Sequence, residues 1–207
     1  NRGSSVNIII AVNENYVGHA KTMLFSLAQN NPEEIVVYLL QSSVSEDSIS
    51  SFSRFMKEKC HGRLETVEIP SDFFSGAPKH ERLSVETYYR LVAFELLPKA
   101  VDRALWLDAD IIVKGNISEL YNADFNGHLA VACAENSTKH NARLGISSTH
   151  RYFNAGVILF DIAAMRERFT ANDVLNCIKQ HENLLDLMDQ DVLNLLLMDN
   201  VEYREAK

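Results

Sequence analysis

The chain has 207 residues, with 20 Lys+Arg against 28 Asp+Glu for a formal charge of −8, and apolar and charged fractions of 46% and 23%. That composition excludes a disordered chain, and the length argues for one domain able to bury about 70% of its unfolded surface. The acidic balance argues against broad nucleic-acid binding, which needs a basic face, though it leaves room for a local basic patch; no nucleic-acid partner is expected.

Asn7 to Val12 reads as a buried strand, and Val17 to Gln29 as a helix with Ala20, Met23, Leu24 and Leu27 on one face, stopped by Asn30-Asn31-Pro32. Ile35 to Leu40 is a second strand, Ser45 caps a helix running to about Cys60, and Leu64 to Ile69 is a third strand closed by Pro70. This β-α-β-α-β order is the signature of a mostly parallel sheet covered by helices. A polar stretch from Ser71 to Arg82 leads into a helix from about Ser84 to Leu97, which Pro98 ends. Ala104 to Asp108 is a short strand, Ile111 to Val113 resumes extended character after a break, and His128 to Ala134 is another strand. Glu135 to Arg151 is long, polar and weakly patterned, a candidate mobile loop. Val157 to Phe160 is the last strand, while Ile162 to Phe169, Asn172 to His181 and Asp191 to Leu197 read as helices. With no repeat or linker, residues 1–207 read as a single α/β domain with a mostly parallel central sheet flanked by helices.

No apolar run approaches the roughly 20 residues of a membrane span, and the segment Asn1 to Ser5 lacks the apolar core of a signal peptide. Cys60, Cys133 and Cys177 are odd in number and show no metal-ligand spacing, so they read as small buried apolar residues in a reducing compartment. The sequons at Asn116 and Asn136 are then chance matches, and the expected location is intracellular.

An α/β sheet binds ligands beyond the carboxyl ends of its strands. The first strand there runs into Ala11-Val12-Asn13-Glu14-Asn15-Tyr16, which has no G-x-G-x-x-G and so disfavours a dinucleotide turn. Asn13 and Asn15 can pair with the polar edge of a base and Tyr16 can stack on its face; equally, the two amides can simply form a turn and cap the next helix. The sharpest signal is Trp106-Leu107-Asp108-Ala109-Asp110-Ile111-Ile112. In extended backbone, side chains two residues apart share a face, so the carboxylates of Asp108 and Asp110 converge and repel unless a cation intervenes. Hard oxygen ligands suit Mg²⁺ or Mn²⁺; an acidic turn solvated by water is the plainer account. Arg90 lies among aromatic residues on a helix and could reach a phosphate or sugar hydroxyl, or form an interhelical ion pair. Tyr152-Phe153-Asn154-Ala155-Gly156 precedes an apolar strand and reads as a turn; Asp189-Gln190-Asp191 precedes an apolar helix that one of its acids could cap.

Taken in order, Ala11…Asn15-Tyr16, Tyr89-Arg90-Leu91, Leu105 to Asp110, Tyr152 to Gly156 and Asp189-Gln190-Asp191 resemble glycosyltransferase family 8, which includes bacterial lipopolysaccharide galactosyl- and glucosyltransferases and the glycogenins. The resemblance runs from about Asn7 to Tyr203. It implies a GT-A fold and retaining transfer of a galactose or glucose from a UDP-sugar donor to a saccharide acceptor, with Mn²⁺ or Mg²⁺ as cofactor. On that analogy Ala11, Asn13, Asn15 and Tyr16 hold the uridine, and Asp108 and Asp110 hold the metal on the diphosphate. Arg90, Asp108, Ala109, Asn154, Ala155, Asp189 and Gln190 surround the donor sugar. Asp189, Gln190 and Asp191 are the catalytic candidates, with Gln190 stabilising an oxocarbenium-like sugar during same-face attack and Asp191 open as a nucleophile in a double displacement.

There are two departures from the family. Asn13 stands where many relatives carry an acid, and the family's C-terminal His and Lys would fall beyond Lys207. The resemblance thus implies a catalytic domain lacking a C-terminal segment, working in the cytoplasm and, through that segment, at the inner face of the membrane. Two other readings compete. One is a non-catalytic relative that binds a UDP-sugar or carbohydrate; the other is a D-x-D phosphohydrolase, whose nucleophilic Asp would normally lie on the first strand rather than at position 108.

Overall fold

A computed structural model describes residues 4–70, 72–75, 85–135 and 138–205. The first half alternates as the apolar pattern requires: β1 (Ser5–Ala11), a 3-10 turn (Glu14–Tyr16), α1 (Val17–Asn30), β2 (Glu34–Gln41), α2 (Glu46–Lys59) and β3 (Gly62–Glu68). Ser45 caps α2, its side chain accepting from the backbone N–H of Ser48. Next come α3 (Val85–Leu96), β4 (Arg103–Leu107), α4 (Ser118–Tyr121), β5 (Ala130–Ala134) and α5 (Lys139–Leu144). The chain continues through β6 (Phe153–Asp161), α6 (Ile162–Arg168), α7 (Ala171–His181), α8 (Met188–Leu197) and β7 (Val201–Arg204).

The strands form one seven-stranded sheet in the order β3-β2-β1-β4-β6-β5-β7. It is mostly parallel, with β6 antiparallel to both its neighbours, β4 and β5. Strand β1 is buried on both faces: Ile8 and Ile10 join a core under α1 and α2, while Ile9 joins a second core under α3 and α6 to α8. The winding order switches sides at β1, with β2 on one flank and the parallel β4 on the other, so the carboxyl ends of β1 and β4 flank a crevice. Because β6 runs the other way, its beginning lies beside the end of β4: Leu107 pairs with Val157, and Asp108 N–H donates to Gly156 O at 2.9 Å.

Several sequence expectations are corrected. Strand β6 begins at Phe153, so Asn154 to Gly156 are strand residues rather than a preceding turn; the β5 register, with Ala134 opposite Phe153, extends the ladder that far. Helix α8 begins at Met188, which puts Asp189, Gln190 and Asp191 inside its first turn. Residues 111–113 form no strand, and Ile112 is 57% exposed rather than buried. That segment instead ties to α1, where Ser26 Oγ accepts from Val113 N–H and Asn30 Nδ2 donates to Val113 O. The polar stretch before β6 contains α5 and is packed, with Asn141 and Leu144 buried.

Strand β7, too short and polar to announce itself, adds a parallel edge beside β5. Cys60 is buried as expected, but Cys133 and Cys177 are partly exposed. No helix among the described residues is long and apolar enough to cross a membrane. The expected helix start at Ser84, most of the polar stretch from Ser71 to Arg82, and the sequon at Asn136 lie outside the described residues.

Candidate functional site

Two adjoining cavities of about 240 and 340 Å³ open at the carboxyl ends of β1 and β4, and they share Thr87, Arg90 and Asp108. The first takes Ala11, Asn13, Tyr16, Ala109 and Asp110; the second takes Asn154, Ala155, Asp189 and Gln190. Of the residues singled out in the sequence, Asn15 and Asp191 line neither cavity.

Arg90 joins the segments. From α3 its guanidinium donates to Ala155 O at 2.5 Å and Asp108 Oδ1 at 2.9 Å, and its Nε lies 2.5 Å from Asp189 Oδ2. The guanidinium lies over the Trp106 ring, 4.5 Å from its centroid. One rigid donor fork therefore ties the end of β4, the start of β6 and the start of α8. Helix α3 is itself held at its C-terminus by Arg166, which donates to the carbonyls of Phe94, Leu97 and Val101.

The turn after β1 is made by local bonds. Asn13 Oδ1 accepts from Asn15 N–H and caps the 3-10 turn, so the capping role is real and leaves its Nδ2 available. Glu14 turns away from the cleft and accepts from Ser45 N–H, Ser45 Oγ and Ser48 Oγ, pinning the turn to the start of α2; these bonds hold its carboxyl below the usual range. Asn15 is exposed, and half the surface of Tyr16 is open.

The acid pair straddles the end of β4 and a turn, rather than lying on one strand face. Asp108 Oδ1 accepts from Arg90 and from Trp106 Nε1 at 2.9 Å, while no hydrogen bond within the described residues reaches its Oδ2. Asp110 is exposed and makes no hydrogen bond or ion pair with them. A Cβ at Gly156 would come within 3.1 Å of Asp108 Oδ2 and 3.0 Å of Asn154 Oδ1, so glycine leaves those oxygens room. The described residues contain no cluster of three His, Cys, Asp or Glu able to hold a metal by themselves. Two carboxylates with uncommitted oxygens on one cleft suit a hard divalent cation that draws its remaining ligands from phosphate and water.

On α8, Asp189 is nearly buried, and desolvation, only partly opposed by Arg90, pushes its carboxyl up to about 6. Gln190 Oε1 accepts from Ala155 N–H at 2.9 Å, and its Nε2 donates to Glu135 at 3.3 Å and to Tyr152 Oη at 3.4 Å. Asp191 exposes no surface and accepts five hydrogen bonds: two from Arg143, one from Tyr152 and one from each backbone N–H of Asp186 and Leu187. Burial would raise its carboxyl, but these donors together hold it below the usual range. From inside the helix it ties down the turn, Asp186 and Leu187, that leads into α8.

Sequence reasoning missed Asn194, Arg143, Tyr152 as a polar partner, and Glu135. Asn194 is fully buried, with Oδ1 accepting from Phe153 N–H and Nδ2 donating to Phe153 O and Gln190 O, so it bolts α8 to β6. Its signal was available: one amide in the apolar run Val192 to Leu197, four residues after Gln190 on the same helical face. Arg143 and Glu135 had none, because their partners are more than 40 residues away.

The chain is similar to known proteins. The profile described as glycosyl transferase family 8 matches residues 7–205. General stress protein A of Bacillus subtilis is 26% identical, over 94% of this chain and 70% of its own length. Lipopolysaccharide 1,2-glucosyltransferase of Escherichia coli K12 is 27% identical, over 95% of this chain and 60% of its own. The solved structure of the galactosyltransferase LgtC, in complex with donor and acceptor sugar analogs, superposes with a TM-score of 0.86 at 24% identity, covering 96% of this chain and 73% of that one. The chain thus spans about two thirds of the length of these two curated relatives. The likeness identifies the sheet as GT-A.

Proposed function

The chain belongs to glycosyltransferase family 8, and on that premise we propose that it is a UDP-hexose-dependent hexosyltransferase, moving galactose or glucose with retention onto a saccharide acceptor. Lipopolysaccharide or a related bacterial surface glycan is the acceptor class suggested by the names of its relatives. The observation that carries the proposal is Arg90, whose single guanidinium holds Asp108, Ala155 and Asp189 around one cleft.

In this reading Ala11, Asn13, Asn15 and Tyr16 receive the uridine, with Tyr16 stacking on the base. Asp108 and Asp110 would hold Mn²⁺ or Mg²⁺, which supplies neutralisation of the diphosphate charge as UDP departs. Arg90, Asp108, Asn154, Asp189 and Gln190 surround the hexose. Loss of UDP leaves positive charge at the anomeric carbon. The amide oxygen of Gln190 keeps a lone pair beyond its bond to Ala155 and is preorganised to face that charge. Nucleophilic attack by Asp191 would cost it five hydrogen bonds and strand Arg143, so same-face attack is the reading adopted. A nucleotide-sugar donor points to cytoplasmic work, at the inner face of the membrane if the acceptor is lipid-linked.

The test is UDP release from UDP-glucose and UDP-galactose with saccharide acceptors, with and without a chelator, and NMR of the product's anomeric configuration. Chelator-sensitive transfer giving an α-linked product from the α-donor supports the proposal. An initially β-linked product overturns it, and UDP binding without turnover across donors and acceptors makes the protein a binding relative.

A further inference from the structure

Gln190 is held at both ends of its amide, and the two ends demand the same orientation. Ala155 N–H can only donate, so the group 2.9 Å away must be the amide oxygen. At the other end Nε2 lies 3.3 Å from a Glu135 carboxylate oxygen and 3.4 Å from the Tyr152 hydroxyl. A phenol can donate or accept, and alone it would tolerate either end of an amide. Here it cannot choose. Tyr152 Oη lies 2.7 Å from Asp191 Oδ1, and an ionised carboxylate only accepts, so the phenol proton is committed to Asp191 and the phenol oxygen can only accept from Gln190.

Arg143 completes the chain, meeting both oxygens of Asp191 at 2.9 and 3.0 Å in the bidentate geometry that keeps a carboxylate ionised and oriented. The same guanidinium reaches Asp186 at 3.2 Å and the carbonyl of Leu184, so it also fixes the turn leading into α8. The His140 ring stacks on Tyr152 with centroids 4.5 Å apart, restraining the phenol in its slot. Tyr152 is 1% exposed and Asp191 fully buried, so neither side chain lies open to a ligand.

We propose that Arg143, Asp191 and Tyr152 are positioning residues that act with Ala155 N–H and Glu135 to fix the direction of the Gln190 amide, by committing the Tyr152 proton away from it. The proposal rests on the reading of Gln190 as the group facing the reacting sugar. Asp191 therefore acts through Gln190, and the segment carrying Arg143 is part of the catalytic scaffold.

Asp191→Asn strands Arg143 and can fail to fold, so Tyr152→Phe, which keeps the ring, is the decisive variant. It is expected to lower kcat about 10-fold with the donor KM within about twofold, the loss expected for one hydrogen bond. In a Gln190→Ala background the same substitution is expected to cost less than about twofold, because residues acting as a unit are not additive. Equal losses in both backgrounds would overturn the proposal and make Tyr152 a general packing residue. A second readout needs no turnover: the side-chain NH₂ signals of Gln190 in ¹⁵N-labelled protein, assigned by their loss in Gln190→Ala, are expected to shift in Tyr152→Phe. Unmoved signals overturn the positioning chain. A wild-type protein that turns over no UDP-hexose overturns the hexosyltransferase reading instead, while the NMR comparison still decides the orientation.

Discussion

At the β1 end of the cleft, Asn15 and Tyr16 stand in solvent on a turn closed by local bonds, whereas at the β6–α8 end Asp191 and Asn194 expose nothing and also bond to Arg143 and Phe153, 48 and 41 positions away. The first region is adaptable. A ring half in water gains its contact only when a base arrives, and the ordering cost falls on binding. The second is preorganised, its side chains ordered during folding so that dipoles are in place before charge develops. Arg90 lies between them and belongs to both, since Asp108 borders the two cavities and Asp189 lies deep in the second. Affinity and turnover should therefore separate along the cleft, and substitutions can be chosen to break that separation or to sharpen it.

Arg90→Ala should break it with the largest effect. It removes the partner of a nearly buried carboxylate, so we expect about 3–5 kcal/mol of stability to be lost in denaturant titration. The kcat/KM should also fall about 10³-fold or more, because the acid pair and α8 lose their common anchor.

Asp110→Asn should sharpen the comparison. Having no partner in the described fold, Asp110 can lose its charge with the Tm unchanged, while kcat/KM falls by about 10² to 10³ if it holds a divalent ion. A folded variant keeping more than about a tenth of wild-type activity would remove it from the metal site. Tyr16→Ala should weaken UDP binding about 10-fold in calorimetry, the range of one base–aromatic stack, with kcat and Tm nearly unchanged. A fall in kcat with unchanged affinity would reverse the assignment of the two regions.

The smallest expected effect is a pH signature of the buried end. The Asp189 carboxyl is raised to about 6 from its ordinary 3.8, so the folded state binds its proton more tightly than the unfolded state. Its contribution is fully present below about pH 4 and is lost as pH rises through 6. Asp191 has the opposite sign: its depressed carboxyl contributes stability above its ordinary value, lost as pH falls below about 4. Denaturant midpoints from pH 4 to 7 should therefore show a decline in the wild type that Asp189→Asn removes. An identical slope in both proteins would mean that Asp189 is not the titrating group.

Much of the fold was legible because it rests on periodicity. Ile8-Ile9-Ile10 could only be a strand buried on both faces, Ser45 announced the start of α2, and the alternation through Glu68 required a parallel sheet. The short motifs of the cleft were also legible, since acids, amides and an arginine beside apolar strands have few structural reasons to be there. Local pattern could not reveal where those motifs would end up. The β6 direction is one example: nothing in Phe153-Asn154-Ala155-Gly156 says that its strand runs antiparallel to β4, yet that reversal sets Gly156 beside Asp108. The role of Asp191 is another. In the sequence it is as plausible a nucleophile as its neighbours, and the side chains that occupy it, Arg143 and Tyr152, lie 48 and 39 residues earlier. Composition and hydrophobic period decide which segments are buried, because burial is a property of each segment's own surface. Which buried polar groups meet depends on register and chain direction, and those exist only once the sheet has closed around them.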